Sequence, residues 1–230
     1  MSVALRPLPR ERAQRIASAF LPGTLLGSRY HYYYARAKLG SDPLYPGVCE
    51  ALRDTRAPLL DLGCGLGLLA HALRQDGIGL RYSGVDNDAR KIAAAHRAAA
   101  RSGLADASFE TLDLSRALPP HRGSVAMLDV LQFFGPQRQA DIVDAMIGML
   151  ESGARLVIRT GLDDGSRRAR ITRTTDHLAR VLGWMNAAPR HYPEADLLRA
   201  RFDAAGLRSE FAPLSGDTPF NNWRIVASRD

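Results

Sequence analysis

The stretch Leu59-Leu60-Asp61-Leu62-Gly63-Cys64-Gly65-Leu66-Gly67-Leu68-Leu69 constrains this chain more than any other part of it. Pro58 punctuates its start, a short apolar run suited to a buried strand follows, and an apolar helical pattern begins at Leu68. The glycines between allow a tight turn and a close approach of a ligand to the main chain. Strand, glycine turn and helix N-terminus form the crevice in which open α/β sheets bind nucleotides. The spacing is Asp-x-Gly-x-Gly-x-Gly, whereas dinucleotide-binding turns read Gly-x-Gly-x-x-Gly. Asp61, two residues before the first glycine, would repel a pyrophosphate and suits a ligand with a cationic end. The alternative, a glycine turn that serves only helix–strand packing, would carry the same glycines.

From Leu59 onward the pattern alternates strand and helix, the signature of a parallel sheet with crossover helices. Strands are expected at Leu59 to Leu62, Leu80 to Val85, Ala107 to Leu112, Val125 to Leu128 and Arg155 to Arg159. Helices are expected at Leu68 to Gln75, Ala89 to Arg101 and Pro136 to Leu150, with proline at a good first helical position. Toward the C-terminus, helices are expected at Thr172 to Leu182 and Pro193 to Ala205, then two strands, Leu207 to Ala212 and Trp223 to Ala227, closing the sheet as a hairpin. Ahead of the first strand, Glu11 to Phe20 reads as a helix stopped by Pro22-Gly23. Ser41-Asp42-Pro43 to Pro46-Gly47 reads as a break before a helix from Val48 to Arg53. Between them lies Ser28-Arg29-Tyr30-His31-Tyr32-Tyr33-Tyr34-Ala35-Arg36-Ala37-Lys38-Leu39, with four of the chain's seven tyrosines in five positions. A core helix with tyrosines packed between layers is one reading; four phenols, a histidine and several cations together favour a functional one.

Ligands of such a sheet sit outside the C-terminal ends of the strands. Asp86 ends the second strand, where an acid can accept both ribose hydroxyls of a nucleoside, with Asn87 beside it; the other reading of Asp86 is a helix N-cap, a role open to Asp88. Asp113 ends the third strand, where its carboxylate can accept from an adenine amino group next to the Leu114 amide. Asp129 ends the fourth strand in Ala126-Met127-Leu128-Asp129-Val130-Leu131-Gln132.

These four pieces, in this order, resemble the motifs of the class I S-adenosylmethionine-dependent methyltransferases. The resemblance covers residues ~55 to 160 and, less fully, the closing hairpin. It implies a Rossmann-like α/β fold: a mostly parallel seven-stranded sheet with an antiparallel C-terminal hairpin strand and helices on both faces. It implies an N-terminal helical cap or lid over residues 1–54 and a methyltransferase domain over 55–230, with a helical substrate-pocket insertion at about 161–206. The donor would be S-adenosyl-L-methionine, the product S-adenosyl-L-homocysteine, and no metal is expected. Donor-site residues on this reading are Asp61, Gly63, Cys64, Gly65, Gly67, Asp86, Asn87, Asp113, Leu114, Asp129 and Gln132, with Arg29 and Tyr34 from the tyrosine-rich stretch. Cys64 also serves as a small filler within the turn. Many relatives carry histidine where this chain has Gln132, and an amide cannot take a proton. The tyrosine-rich stretch, Asp42-Pro43-Leu44-Tyr45 and Thr218-Pro219-Phe220-Asn221-Asn222 further resemble the methyltransferases of bacterial aryl polyene and xanthomonadin-type pigment biosynthesis.

Candidate general bases are His31, His177, His191 and the phenols of Tyr30 to Tyr34, with Tyr33 foremost among these. His31 falls in the segment expected to cap the donor, and His191 precedes the helix expected beside the substrate pocket, so both rank above His177. His71, His96 and His121 fall in expected surface helices and loops and are set aside. Arg29, Arg36 and Lys38 could pair with the donor's carboxylate. The formal net charge is +7, but the arginines are scattered, with Arg167, Arg168, Arg170 and Arg173 the densest group. Nucleic-acid binding needs a patch or stripe, and an Asn/Asp-Pro-Pro-aromatic motif is absent after the fourth strand. An RNA methyltransferase is therefore the second reading and a non-catalytic scaffold the third. The expected acceptor is a small aromatic or phenolic molecule, methylated at carbon or oxygen, free or on an acyl carrier protein. Two cysteines, Cys49 and Cys64, form no disulfide framework, which fits a reducing cytoplasm, and no apolar run is long enough to span a membrane. Nothing in the sequence decides the oligomeric state.

Overall fold

The computed structural model describes residues 5–24, 26–163, 191–215 and 221–229. Three helices lead the chain, α1 (Arg10–Ser18), α2 (Tyr30–Ser41) and α3 (Leu44–Leu52). Then β1 (Leu59–Leu62), α4 (Leu68–Gln75), β2 (Tyr82–Asp86), α5 (Ala89–Ser102), β3 (Ala107–Thr111) and β4 (Ser124–Leu128) follow. A single 3-10 turn over Leu131–Phe133 leads to α6 (Pro136–Met149), β5 (Arg155–Gly161), α7 (Ala195–Ala204), β6 (Arg208–Pro213) and β7 (Asn222–Ser228). The sheet has seven strands in the order β3-β2-β1-β4-β5-β7-β6. The first five are parallel, β7 runs antiparallel to β5, and β6 runs antiparallel to β7. The expected helix at Thr172 to Leu182, with His177 and the arginines at 167, 168, 170 and 173, lies outside the described residues, as do Thr218-Pro219-Phe220.

Side-chain alternation along the strands divides the core into two layers. Leu59, Tyr82, Ala126 and Val157 pack with α1 to α5, whereas Leu60, Leu62, Val125, Met127, Leu156 and Ile158 pack with α6 and α7. Helices thus cover both faces. Leu8, Ile16, Phe20, Leu39 and Val48 share one continuous hydrophobic cluster with α4 and α5. Burying a leucine or isoleucine contributes about 1.5–3 kcal/mol, so α1 to α3 are held to the sheet by its own core.

Three local expectations are corrected. Asp42-Pro43 to Pro46-Gly47 is not a break: α3 already begins at Leu44, whose N–H is capped by Asp42 Oδ1 at 3.0 Å. Pro46 falls in the first turn, where a missing N–H costs no hydrogen bond. The second strand begins at Tyr82, not Leu80, because the Arg74 guanidinium takes the carbonyls of Ile78 and Leu80 at 2.9 and 2.7 Å. His71 is not on the surface. It lies buried with its ring edge-on to Phe20, since the helix expected over residues 11–20 packs across α4, and burial pushes the imidazole down to about 4.

The fifth strand runs two residues past Arg159, to Gly161, because the antiparallel β7 pairs with it as far as Gly161 opposite Asn222. Among the described residues no helix is long and apolar enough to cross a membrane, and both cysteines are buried and free.

Candidate active site

Strand order reverses between β1 and β4, and the glycine turn after β1 lies at that switch point, where open α/β sheets take their ligands. The turn is sewn to β2: the N–H groups of Gly63 and Cys64 both donate to Val85 O, at 2.8 and 2.9 Å. All three glycines have positive φ, +84° at Gly63, +57° at Gly65 and +72° at Gly67. Their surroundings differ. A Cβ on Gly63 would meet Val130 Cγ2 at 2.4 Å, and one on Gly67 would meet Phe109 Cε1 at 2.4 Å, but nothing lies within 4 Å of one on Gly65. Packing and φ together thus explain the outer two glycines, and the middle one faces open space. Alanine at Gly65 is expected to cost only the left-handed backbone, about 1–2 kcal/mol. Alanine at Gly67 should cost about 1–3 kcal/mol more through overpacking against Phe109, a difference that urea unfolding of the two variants would read directly. Cys64 sits with Cβ and Sγ against Gly84, where a Cβ would lie 2.8 Å from both, so it fills the space behind the turn. Burial pushes its thiol up, away from thiolate chemistry.

Two acids flank the turn. Asp61, on β1, is buried. Its Oδ2 accepts from the Tyr82 hydroxyl at 2.6 Å, and its buried Oδ1 has no partner among the described residues. Burial raises this carboxyl to about 7, with the nearby Asp86 charge adding to the rise and the Tyr82 hydrogen bond opposing it. Asp86 ends β2; its Oδ2 accepts from Gly65 N and its Oδ1 from Asp88 N, both at 2.9 Å. The cap of α5 is Asp88, which accepts from the N–H groups of Arg90 and Lys91, so Asp86 is free of that role. Asn87 is exposed beside it. Asp113, after β3, accepts from Ser115 N at 2.9 Å and pairs with Arg116. Hydrogen bonds from Ser115 hold its carboxyl below the usual range. Leu114 is buried, and its carbonyl accepts from Arg138.

At the end of β4, Asp129 adopts a left-handed φ of +61°. Its Oδ2 is bound by the Arg159 guanidinium and lies 3.3 Å from Lys38 Nζ. Lys38 Nζ also sits 2.6 Å from Asp42 Oδ2, and Arg159 Nη2 sits 3.1 Å from Asp42 Oδ1. Two cations and two carboxylates thus join α2 to the ends of β4 and β5. Lys38, expected beside a donor carboxylate, is held by protein carboxylates instead. Burial alone would lower its ammonium, but Asp129 and Asp42 outweigh that and hold it above its ordinary value. Arg29 and Arg36 are exposed and form no ion pair among the described residues.

Gln132 is buried in the 3-10 turn, and its Oε1 accepts from Thr160 Oγ1 at 3.1 Å. His191 N–H donates to Gln132 O at 3.2 Å, and His191 O accepts from Gln139 Nε2 at 2.9 Å. The next ring, Tyr192, packs so closely on Gly161 that a Cβ there would lie 2.8 Å from Cδ1. His31 stands elsewhere. It is half-buried on α2, and burial lowers its imidazole, with Arg97 and Lys91 of α5 adding to the drop and Asp88 opposing it. The tyrosines of α2 do not pack between layers: Tyr30, Tyr33 and Tyr34 are exposed, and only Tyr32 packs on the core. Tyr30 stacks with Tyr34, centroids 6.3 Å apart, and Tyr33 meets Tyr32 edge-on at 5.1 Å. Tyr82, Gln139 and Arg159 were not singled out from the sequence, and Asp42 and Tyr45 entered only through the Asp42-Pro43-Leu44-Tyr45 resemblance, with no role at the site. A charged residue within the buried run Leu156-Val157-Ile158-Arg159 was the one available signal. No cluster of metal-ligating side chains occurs among the described residues.

Residues 59–153 match the family model described as a methyltransferase domain. A comparison with curated proteins gives no match. Among solved structures, the magnesium protoporphyrin IX methyltransferase of Synechocystis PCC 6803, with bound SAH, is 17% identical with a TM-score of 0.63, over 96% of this chain and 94% of that one. An O-methyltransferase family protein from Burkholderia thailandensis is 18% identical with a TM-score of 0.65, over 99% of this chain and 64% of that one. An O-methyltransferase family 2 protein from Planctomyces limnophilus, in complex with apigenin, is 16% identical with a TM-score of 0.64, over 94% and 66%. The chain thus spans just under two thirds of the latter two proteins. The three share its fold. The matched methyltransferase domain runs from β1 to the turn before β5, the part of the sheet that carries the glycine turn.

Proposed function

We propose that the chain transfers the methyl group of S-adenosylmethionine to a small aromatic acceptor, at a phenolic oxygen or an activated ring carbon. The observation that carries the donor half is Asp61: among the described residues, a buried carboxylate with an unpartnered oxygen and no cation bonded to it, beside the open backbone of Gly65. On this reading Asp61 and the glycine turn hold the donor's amino-acid end and Asp86 with Asn87 the ribose. Asp113 and the Leu114 N–H hold the adenine, with Cys64 behind the turn. Asp129 and Gln132 border the reacting methyl, and Arg29 and Tyr34 close over it from the N-terminal helices, which act as a cap.

The donor supplies a methyl already activated by its sulfonium. The chain's part is to align an acceptor in line with it, exclude water and take up a proton. His191 is the proposed base, because its backbone is tied to the loop that carries Gln132. His31 faces the first turns of α5, on the ribose side, and is assigned to donor closure along with Tyr33. The exposed phenol rings of α2 supply an aromatic wall. The apigenin bound to the Planctomyces protein and the porphyrin in the Synechocystis enzyme's name support an aromatic acceptor. The resemblance to pigment-pathway enzymes makes a hydroxybenzoate-derived head group the first acceptor to assay, free and on an acyl carrier protein, whose acidic surface would suit a chain of charge +7.

The test is calorimetric titration of S-adenosylmethionine into the wild type and Asp86→Ala, followed by methyl-transfer assays on phenols. Losing a carboxylate that accepts ribose hydroxyls is expected to weaken donor binding about 10- to 100-fold. A folded wild type that binds no donor would overturn the reading. Donor binding with no methylation of any phenol, free or carrier-bound, would overturn the acceptor class alone.

A further inference from the structure

Among the described residues, Asp61 is the acid with a buried oxygen that has no donor, whereas both oxygens of Asp86 accept backbone N–H groups. Asp42 and Asp129 are each paired with Arg159 and Lys38. Asp61 is more deeply buried than Asp129, yet among the described residues no Lys, Arg or His bonds to it. The ionisable groups facing it are Tyr82 and Asp86 from β2, Cys64 from the glycine turn and Tyr45 from α3, all neutral or acidic. A carboxylate left in this state awaits a cation from outside the chain, since an uncompensated buried charge is costly.

We propose that Tyr82 is a positioning residue for the methyl donor: its hydroxyl donates to one oxygen of Asp61 and reserves the other for the donor's ammonium group. The inference rests on the donor reading above and goes beyond it to a residue outside the glycine motif. A phenol suits the task where an arginine would not. It fixes the carboxylate without neutralising it, so the attraction for the ligand's ammonium survives. The phenol is itself immobile. Tyr82 is fully buried, and its ring lies 5.7 Å from Phe109, the ring against which Gly67 packs. Tyr82 is also in phase with Asp61: the residue opposite Asp61 in the ladder is Gly84, two positions along β2, so Tyr82 and Gly84 project to the same face.

The experiment compares wild type with Tyr82→Phe, which keeps the ring and removes only the hydroxyl. S-adenosylmethionine and 5′-methylthioadenosine, which lacks the amino-acid portion, are titrated separately between about pH 5.5 and 7, where an α-amino group of pKa about 7.7–8.0 stays mostly protonated. Because only ionised Asp61 attracts the ammonium, wild-type affinity for S-adenosylmethionine should fall as the pH drops through about 7. Removing the hydrogen bond that opposes the rise moves the fall to higher pH. The variant should therefore bind S-adenosylmethionine about tenfold more weakly at the acid end, the gap narrowing as the pH rises, while methylthioadenosine binds both proteins alike at every pH. Asp61→Asn, nearly the same shape, should abolish the pH dependence and provides the measurement if Tyr82→Phe does not fold. Equal S-adenosylmethionine affinity in wild type and Tyr82→Phe, or an equal loss for both ligands, overturns the proposal. A wild type that binds neither ligand overturns the donor reading itself.

Discussion

Replacing His191 by alanine is expected to lower kcat for a phenolic acceptor by roughly 10²- to 10⁴-fold, the range for removing a general base, and to change donor affinity by no more than about twofold. The expectation follows from two constraints that meet at this residue. Gln132 stands where many related enzymes have a histidine, and its amide cannot accept the acceptor's proton. Its Oε1 is already engaged by Thr160. The backbone of His191 is fastened to the same loop, by its own N–H to Gln132 O and by its carbonyl to Gln139, whose amide also holds the Leu131 and Phe134 carbonyls. An imidazole on such an anchored segment is held by the loop that borders the proposed reaction centre. The companion variant His31→Ala should show the opposite split, a larger change in donor affinity than in kcat, because His31 faces Asp88, Lys91 and Arg97 of α5. A His191→Ala enzyme that keeps more than about a third of wild-type kcat would remove His191 from the role. Gln139→Ala would then separate anchoring from chemistry.

Arg159→Met should destabilise the fold by roughly 3 kcal/mol, the lower end for breaking a buried ion pair, and lower Tm by roughly 6–12 °C. Arg159 is almost wholly buried, and it bridges Asp42 of the N-terminal segment and Asp129 at the end of β4. Removing it leaves two carboxylates to share Lys38, and because Lys38 stays with both, the low end of the range applies. Acid sensitivity should change as well. Burial alone would raise the Asp42 carboxyl, but Lys38 and Arg159 outweigh it and hold the group below its ordinary value of 3.8. A depressed carboxyl contributes stability that is complete above the unfolded value and is lost as the pH falls through the folded one. Without Arg159 the folded value rises toward the unfolded one, so that contribution shrinks and acid unfolding should begin at higher pH. Thermal scans from neutral pH down to about pH 3 would check both effects. An unchanged Tm would mean that the N-terminal helices owe nothing to this network and are held by their apolar contacts alone.

Residues 59 to 161 were nearly all legible in the sequence, because each signal there is local. Strand and helix periods alternate, glycine marks the turns, and an acid falls in or just after each of the first four strands. The glycine turn was legible for the same reason: Gly63, Gly65 and Gly67 all need positive φ, which the chain itself demands. The start of β2 was missed because a side chain six residues away, Arg74, takes the Leu80 carbonyl, and the helix across Pro46 because a proline in a first turn reads like one that ends a helix.

By itself the sequence determined the α/β class, the glycine turn and the strand-end acids Asp61, Asp86, Asp113 and Asp129, since those depend on spacing along the chain. Only the tertiary structure decided which acids keep a free oxygen. Asp129 is paired with Arg159, 30 residues away, and Asp42 with Arg159 across 117 residues, whereas among the described residues Asp61 meets Tyr82 and no cation. It also decided that the tyrosines of α2 face outward and that His191 is fastened to Gln132. A carboxylate's charge is written in its residue type, but its partner is chosen by whatever folding brings within hydrogen-bond reach, and no spacing rule carries that information across the sheet.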